Sequence, residues 1–154
     1  GSTALLVRQA RAMGLDIPIV AGSAMHQPST AALLKPQELK GVCAESGSSP
    51  VSGGSPAMDD FVNRYRAAYK AEPDAYALGQ YDGVKMALAA LKSGARDADG
   101  VRAWLMTHSH DGLAMTYRSD GKGNMAHDAV IICYDGVDRT PKIIKRYENV
   151  TGVK

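Results

Sequence analysis

The chain has 154 residues, enough for one ordinary domain or for part of something larger. Hydrophobic residues make up 45% and charged residues 22%, a balance that argues against disorder throughout, and a formal charge of +2 argues against the concentrated basic face of a dedicated nucleic-acid binder. Apolar runs such as Ala129–Cys133 are far too short to span a bilayer, so no direct membrane insertion is expected. No charged segment followed by an apolar one opens the chain, and Gly1-Ser2-Thr3 reads as a cut or engineered start.

Thr3 to Met13 reads as a helix, with Leu6, Ala10 and Met13 on one face and Gly14 just past its end. Ile17-Pro18-Ile19-Val20 is a continuous apolar run, as in a parallel strand buried on both faces. A small polar loop, Ala21 to Gln27, follows directly. Ser29 to Leu34 is a short helix and Gly41 to Ala44 a short strand. Ser46 to Pro56 is almost wholly Ser, Gly and Pro, the composition of a flexible connection.

The next helix is the clearest. Met58, Phe61, Val62, Tyr65 and Tyr69 form one apolar stripe, Ser55 is a cap, Pro56 suits the first turn, and Asp59 and Asp60 face the positive end. Glu72-Pro73 ends it. Tyr76 to Lys92 is a second long helix with Tyr81, Val84, Leu88 and Leu91 on one face. Asp97 or Asp99 caps a third, carrying Val101, Trp104 and Leu105. Strands then follow: Ala114 to Tyr117, Ala129 to Tyr134 and Lys142 to Tyr147, separated by Asp-Gly turns that support hairpins. Thr151 to Lys154 is expected to fray. Three helices with apolar faces stand in a row, yet few strands are available to cover them. They must bury those faces among themselves or on a sheet from elsewhere.

Cys43 and Cys133 lie in short apolar runs, too sparse for a disulfide framework. The expectation is two free, buried thiols on strands; a single bridge is the alternative that an exported protein would permit.

The loop Ala21-Gly-Ser-Ala-Met-His-Gln27 follows the carboxyl end of the first strand, where open α/β sheets bind ligands. Ser23 and His26 are donors, Ala24 is small, and Met25 is an adaptable apolar wall. The loop holds no carboxylate to pair an α-ammonium, which favours an aromatic or other carboxylate solute over an ordinary amino acid. A solvated loop without ligand contact is the plainer reading. His108, His110 and Asp111 resemble a metal set, but Gly112 and Leu113 stand where a further ligand is needed, and a polar helix end explains them. No metal, cofactor or catalytic residue is expected. Ser119 to Asn124 has neither phosphate-loop nor EF-hand spacing and reads as a hairpin turn. The tyrosines Tyr65, Tyr69, Tyr76 and Tyr81 fall at helical core positions and read as packing.

Several stretches together carry a family resemblance. Ala4-Leu-Leu-Val-Arg-Gln-Ala-Arg-Ala-Met-Gly-Leu15 with Ile17-Pro-Ile-Val20, Leu39-Lys-Gly-Val42, Phe61-Val-Asn-Arg-Tyr65, Glu72-Pro73, Tyr81-Asp-Gly-Val84, Asp111-Gly112 to Asp120-Gly121 and Val130 to Gly136 resemble the C-terminal portion of type I periplasmic solute-binding proteins, branched-chain amino acid-binding group. Gly83, Ala114 and Tyr117-Arg118 depart from the usual residues. The resemblance implies an α/β fold of two Rossmann-like lobes with parallel sheets, of which this chain is a C-terminal fragment. Residues 1–46 and 130–154 would belong to the second lobe and 47–129 to the first. Ala44, Glu45, Ile131 and Ile132 would mark the hinge, whose strands would bring Cys43 and Cys133 close in space as free thiols, and Ser23, Ala24, Met25 and His26 would line the ligand cleft. The implied function is an exported, periplasmic, non-enzymatic solute receptor. Its partners would be a small-molecule solute, the membrane permease of an ABC importer and the missing N-terminal lobe of the same polypeptide. A ligand-sensing domain of a regulator with the same fold is the alternative, and a small hydrolase built on His108, His110 and Asp111 a third.

Overall fold

A computed structural model of the chain describes residues 2–50 and 55–150. The middle of the Ser/Gly/Pro connection and the tail from Thr151 lie outside the described residues. The elements run α1 (Ser2–Ala12), β1 (Ile19–Ala21), a 3-10 turn (Ser23–His26), α2 (Pro28–Ala31), α3 (Pro36–Leu39), β2 (Val42–Ser46), α4 (Pro56–Tyr69), α5 (Ala75–Lys92), α6 (Ala98–Thr107), β3 (His110–Asp111), β4 (Thr116–Ser119), β5 (Met125–Cys133) and β6 (Lys142–Val150). No helix among the described residues is long and apolar enough to cross a membrane.

The strands form one six-stranded sheet in the order β1-β2-β5-β4-β3, with β6 on β5. Parallel pairing, expected from the apolar run at Ile17–Val20, is found between β1 and β2, where Ile19 faces Val42 and Ala21 faces Ala44. The other pairings are antiparallel. Arg11 fixes the entry to β1: its guanidinium donates to the carbonyls of Leu15, Ile17 and Lys40 at 2.7–2.9 Å. That ties the end of α1 to the segments feeding β1 and β2.

Two separate apolar cores result. The first joins α1, the 3-10 turn and the short helices to the sheet through Ala4, Val7, Met25, Leu34, Val42, Ala44, Val130 and Ile132. The second is small: Met58, Phe61 and Leu78, with Tyr65, Tyr81, Leu113 and Ala114 packed around them. The cap at Ser55 is as expected, with its hydroxyl accepting from the Met58 amide at 3.2 Å. Asp74 caps α5 and Asp97 caps α6, each accepting one backbone amide at 2.8 Å.

On α5 the covered face matches the expected one only at Tyr81, which packs on the second core. Leu78, Asp82 and Ala90 are buried, while Val84, Leu88 and Leu91 are 60%, 46% and 44% exposed. The physical reason is supply. Val84 and Leu88 only rim an open groove with Phe61, Tyr65 and Tyr69 of α4, and Leu91 another with α6, whereas the buried side of α5 meets the Leu113–Ala114 turn. Asp82 is held there by three donors: the amides of Leu113 and Ala114 at 2.8 Å and the Tyr117 hydroxyl at 3.0 Å.

The expectation of free thiols is overturned. Cys43 and Cys133 are close, with Cα atoms 4.0 Å apart, and they are bonded. They occupy directly facing positions on β2 and β5. Facing residues of a non-hydrogen-bonded antiparallel pair approach to about 4.5 Å, which is near enough to bridge.

Candidate functional site

The loop after β1 tightens into a 3-10 turn, with the Met25 amide donating to the Gly22 carbonyl at 3.0 Å. Tyr134, just past β5, holds it from below by donating its hydroxyl to the Met25 carbonyl at 3.0 Å. Burial pushes that phenol up to about 12, so it stays a donor. The Met25 side chain is wholly buried in the first core. Ala24 is exposed and Ser23 half-buried.

His26 is the unusual member. It is 2% exposed, and neither ring nitrogen has a hydrogen-bond partner among the described residues. Burial pushes its imidazole below the ordinary range, and the nearby Asp74 carboxylate partly offsets this. A buried neutral imidazole with both a donor and an acceptor unpaired is costly. It borders a cleft of about 610 Å³. His26, Tyr134 and Arg139 form one wall, on the side of the first core; Asp59, Asn63 and Arg66 of α4 form the other. The Arg66 guanidinium is paired in bidentate fashion with Glu72 at 2.7 and 2.8 Å, and Arg139 donates to the Leu34 carbonyl at 2.7 Å. The cleft therefore offers fixed cations, one unpaired imidazole and acids beside them.

The Ser23 side chain meets Tyr76 at the start of α5, hydroxyl to hydroxyl at 3.2 Å. Tyr76 is 53% exposed, so the packing role expected for it does not hold. The loop itself lacks a carboxylate, as read from its sequence, but two arrive from outside it. Asp74 acts on His26, and a Glu45 carboxylate oxygen lies 3.8 Å from where a side chain at Gly22 would begin. Reading the loop in isolation missed Asp74, Tyr76 and Arg139. Asp74 was accessible as a helix cap before an apolar stripe; the other two depend on the tertiary fold.

The four residues expected at a hinge form two consecutive facing pairs of β2 and β5, Ala44 with Ile132 and Glu45 with Ile131. These strands link the part of the chain around the first core to the parts that precede α4 and follow β4.

His108, His110 and Asp111 have separate local partners. His108 stacks on Trp104 with ring centres 4.9 Å apart and meets the Thr107 hydroxyl at 2.9 Å. His110 pairs with Tyr117 across β3–β4, and Asp111 accepts from the Thr116 hydroxyl at 2.8 Å. No cluster of three His, Cys, Asp or Glu side chains with metal-binding geometry occurs among the described residues.

Comparison with known proteins extends these observations. A family model described as periplasmic binding protein matches residues 1–136. No curated protein matches the sequence. Among solved structures, the chain is similar to a leucine-binding protein, LivK, from Thermotoga maritima, with 22% identity and a TM-score of 0.79 over 94% of this chain and 41% of that one. It is similar to LivJ from Streptococcus pneumoniae, a branched-chain amino acid transporter substrate-binding protein in complex with isoleucine. There the identity is 25% and the TM-score 0.73, over 96% of this chain and 41% of that one. An ABC transporter substrate-binding protein from Desulfitobacterium hafniense, in complex with Leu, matches at 23% identity and a TM-score of 0.69, over 94% and 40% of the two chains. The chain thus spans about two-fifths of the length of these proteins.

Proposed function

The chain belongs to the periplasmic binding protein family, and on that premise we propose that it is part of an exported, non-enzymatic solute receptor that delivers a small organic carboxylate, aromatic or amino acid, to the membrane permease of an ABC importer. The solute sits between two lobes. Residues 1–46 and 130–154 form part of the second lobe, and residues 47–129 return to the first, whose sheet is completed by polypeptide outside these 154 residues. Ala44, Glu45, Ile131 and Ile132 are the hinge.

One observation carries this reading: His26 is buried at the cleft with both ring nitrogens unpaired. A ligand oxygen accepting from its N–H relieves that cost, because a buried donor without a partner is expensive and a paired one is not. Ser23 and Ala24 border the solute, and Met25 packs beneath the loop as its floor. The similar proteins that hold isoleucine and leucine support a carboxylate-bearing solute of this size.

Calorimetry on the full-length gene product tests it, with leucine, isoleucine, valine and a panel of aromatic acids. One of them binds, and His26→Ala weakens that binding by about 1–3 kcal/mol. Binding of any panel member at full strength to His26→Ala contradicts the assignment of the loop.

A further inference from the structure

The disulfide between Cys43 and Cys133 closes ninety positions of chain onto one rung of the β2–β5 ladder. The next two rungs are Ala44–Ile132 and Glu45–Ile131. Val42, Ala44, Val130 and Ile132 point into the first core and are fully buried. Side chains alternate along a strand, so both cysteines lie on the opposite face. There they are only half-buried, and Val20, the partner of Cys43 on β1, is 75% exposed. The bond therefore lies on the sheet face away from the first core, beside an exposed residue, at the edge of the strand segment assigned to the hinge.

We propose that Cys43–Cys133 is a redox-operated staple on the hinge strands. The inference rests on the hinge reading given above. Oxidised, the bond fixes β2 against β5 at the first rung outside the hinge pairs, so bending is confined to residues 44–46 and 130–132. A one-residue slip of β2 would turn Ala44 out of the core, and the covalent rung forbids it. Reduced, the strands are held by their hydrogen bonds and packing alone and open more readily. A dithiol reductant performs the step. One of its thiolates attacks a cysteine sulfur, the other cysteine leaves as a thiolate and takes a proton, and the reductant's second thiol displaces the mixed disulfide. The protein gains two thiols and the reductant becomes a disulfide.

The test uses the full-length gene product. Alkylation of the denatured protein, read by mass spectrometry, should label neither cysteine without reductant and both after dithiol treatment. Hydrogen exchange at residues 42–46 and 130–134 should quicken several-fold on reduction while α4 and α5 stay unchanged, and the ligand-free protein should gain radius of gyration. The C43S/C133S double variant should exchange fast with or without dithiol. Labelling without reductant would remove the bond, and unchanged exchange on reduction would remove the staple. Failure of the hinge reading looks different: exchange quickens, yet the radius of gyration is the same in both redox forms, and the switch fails with it.

Discussion

The Ser23 hydroxyl lies 3.2 Å from the hydroxyl of Tyr76, joining the loop after β1 to the first turn of α5 across fifty-three positions of sequence. The two residues belong to regions packed on different cores. Tyr76 is exposed, so its hydroxyl contributes little to folding, since exposed polar contacts exchange readily with water. Tyr76→Phe should therefore change unfolding free energy by less than about 0.5 kcal/mol. It should weaken solute binding by about 0.5–1.5 kcal/mol if the hydroxyl pair faces the bound solute. Chemical denaturation and calorimetry on the same variant separate the two effects. A large loss of stability with unchanged binding would return Tyr76 to the packing role.

His26 makes stability depend on pH in one direction. Burial holds its pKa below the ordinary 6.5 in the folded chain, so below that pH the unfolded chain takes the proton first. Stability is thus complete above about pH 6.5 and falls as pH drops through it, levelling once the folded imidazole also protonates. His26→Gln removes this part of the profile. Urea unfolding between about pH 7.5 and pH 5 should show a shallower acid slope in the variant. Identical slopes in the two proteins would mean that His26 is not held neutral by burial.

Asp82 is 1% exposed and accepts from two backbone amides and a tyrosine hydroxyl. The Tyr117 hydroxyl supplies the third donor. Burial raises the Tyr117 pKa, with the Asp82 carboxylate adding to the rise, so the phenol remains protonated. Asp82→Ala orphans all three donors and should cost about 2–4 kcal/mol. Gly112 is the companion position. A side chain there would begin 2.5 Å from an Asp82 carboxylate oxygen and 2.6 Å from the Tyr117 ring. Gly112→Ala should therefore destabilise by about 1–3 kcal/mol. Denaturant melts check both, and a neutral Gly112→Ala would show that the clamp yields.

The apolar face of α5 bears on independent folding. Val84, Leu88 and Leu91 stay exposed beside Tyr69 and Met106. Residues 1–154 expressed alone should be molten, aggregated or intertwined as an oligomer, because such a face needs cover. A monomer with a sharp, cooperative melt would count against this.

Legibility in the sequence followed the range of the signal. α4 was readable because Ser55, Pro56 and the Met58–Tyr65 stripe are all local, and its observed start matches. The single-turn α3, Pro36–Leu39, was missed because four residues carry no period. The nearness of the cysteines was readable through family resemblance, but their bond was not. It depends on the register of two strands ninety positions apart, which no local pattern encodes. The loop Ser23–His26 was found from its place after a strand. The burial of His26 was not, because it is imposed by packing around the turn that Tyr134 anchors from the far end of the chain. The exposed face of α5 was misread for the opposite reason: its period is helical and apolar, but beyond Tyr81 it only rims open grooves with α4 and α6.

The most direct measurement is a crystal structure of the full-length gene product with the tightest-binding member of the solute panel. The account predicts a ligand oxygen within hydrogen-bonding distance of a His26 ring nitrogen, with the solute bordered by Ser23 and Ala24. A solute bound elsewhere, with the His26 imidazole still unpaired, would contradict it.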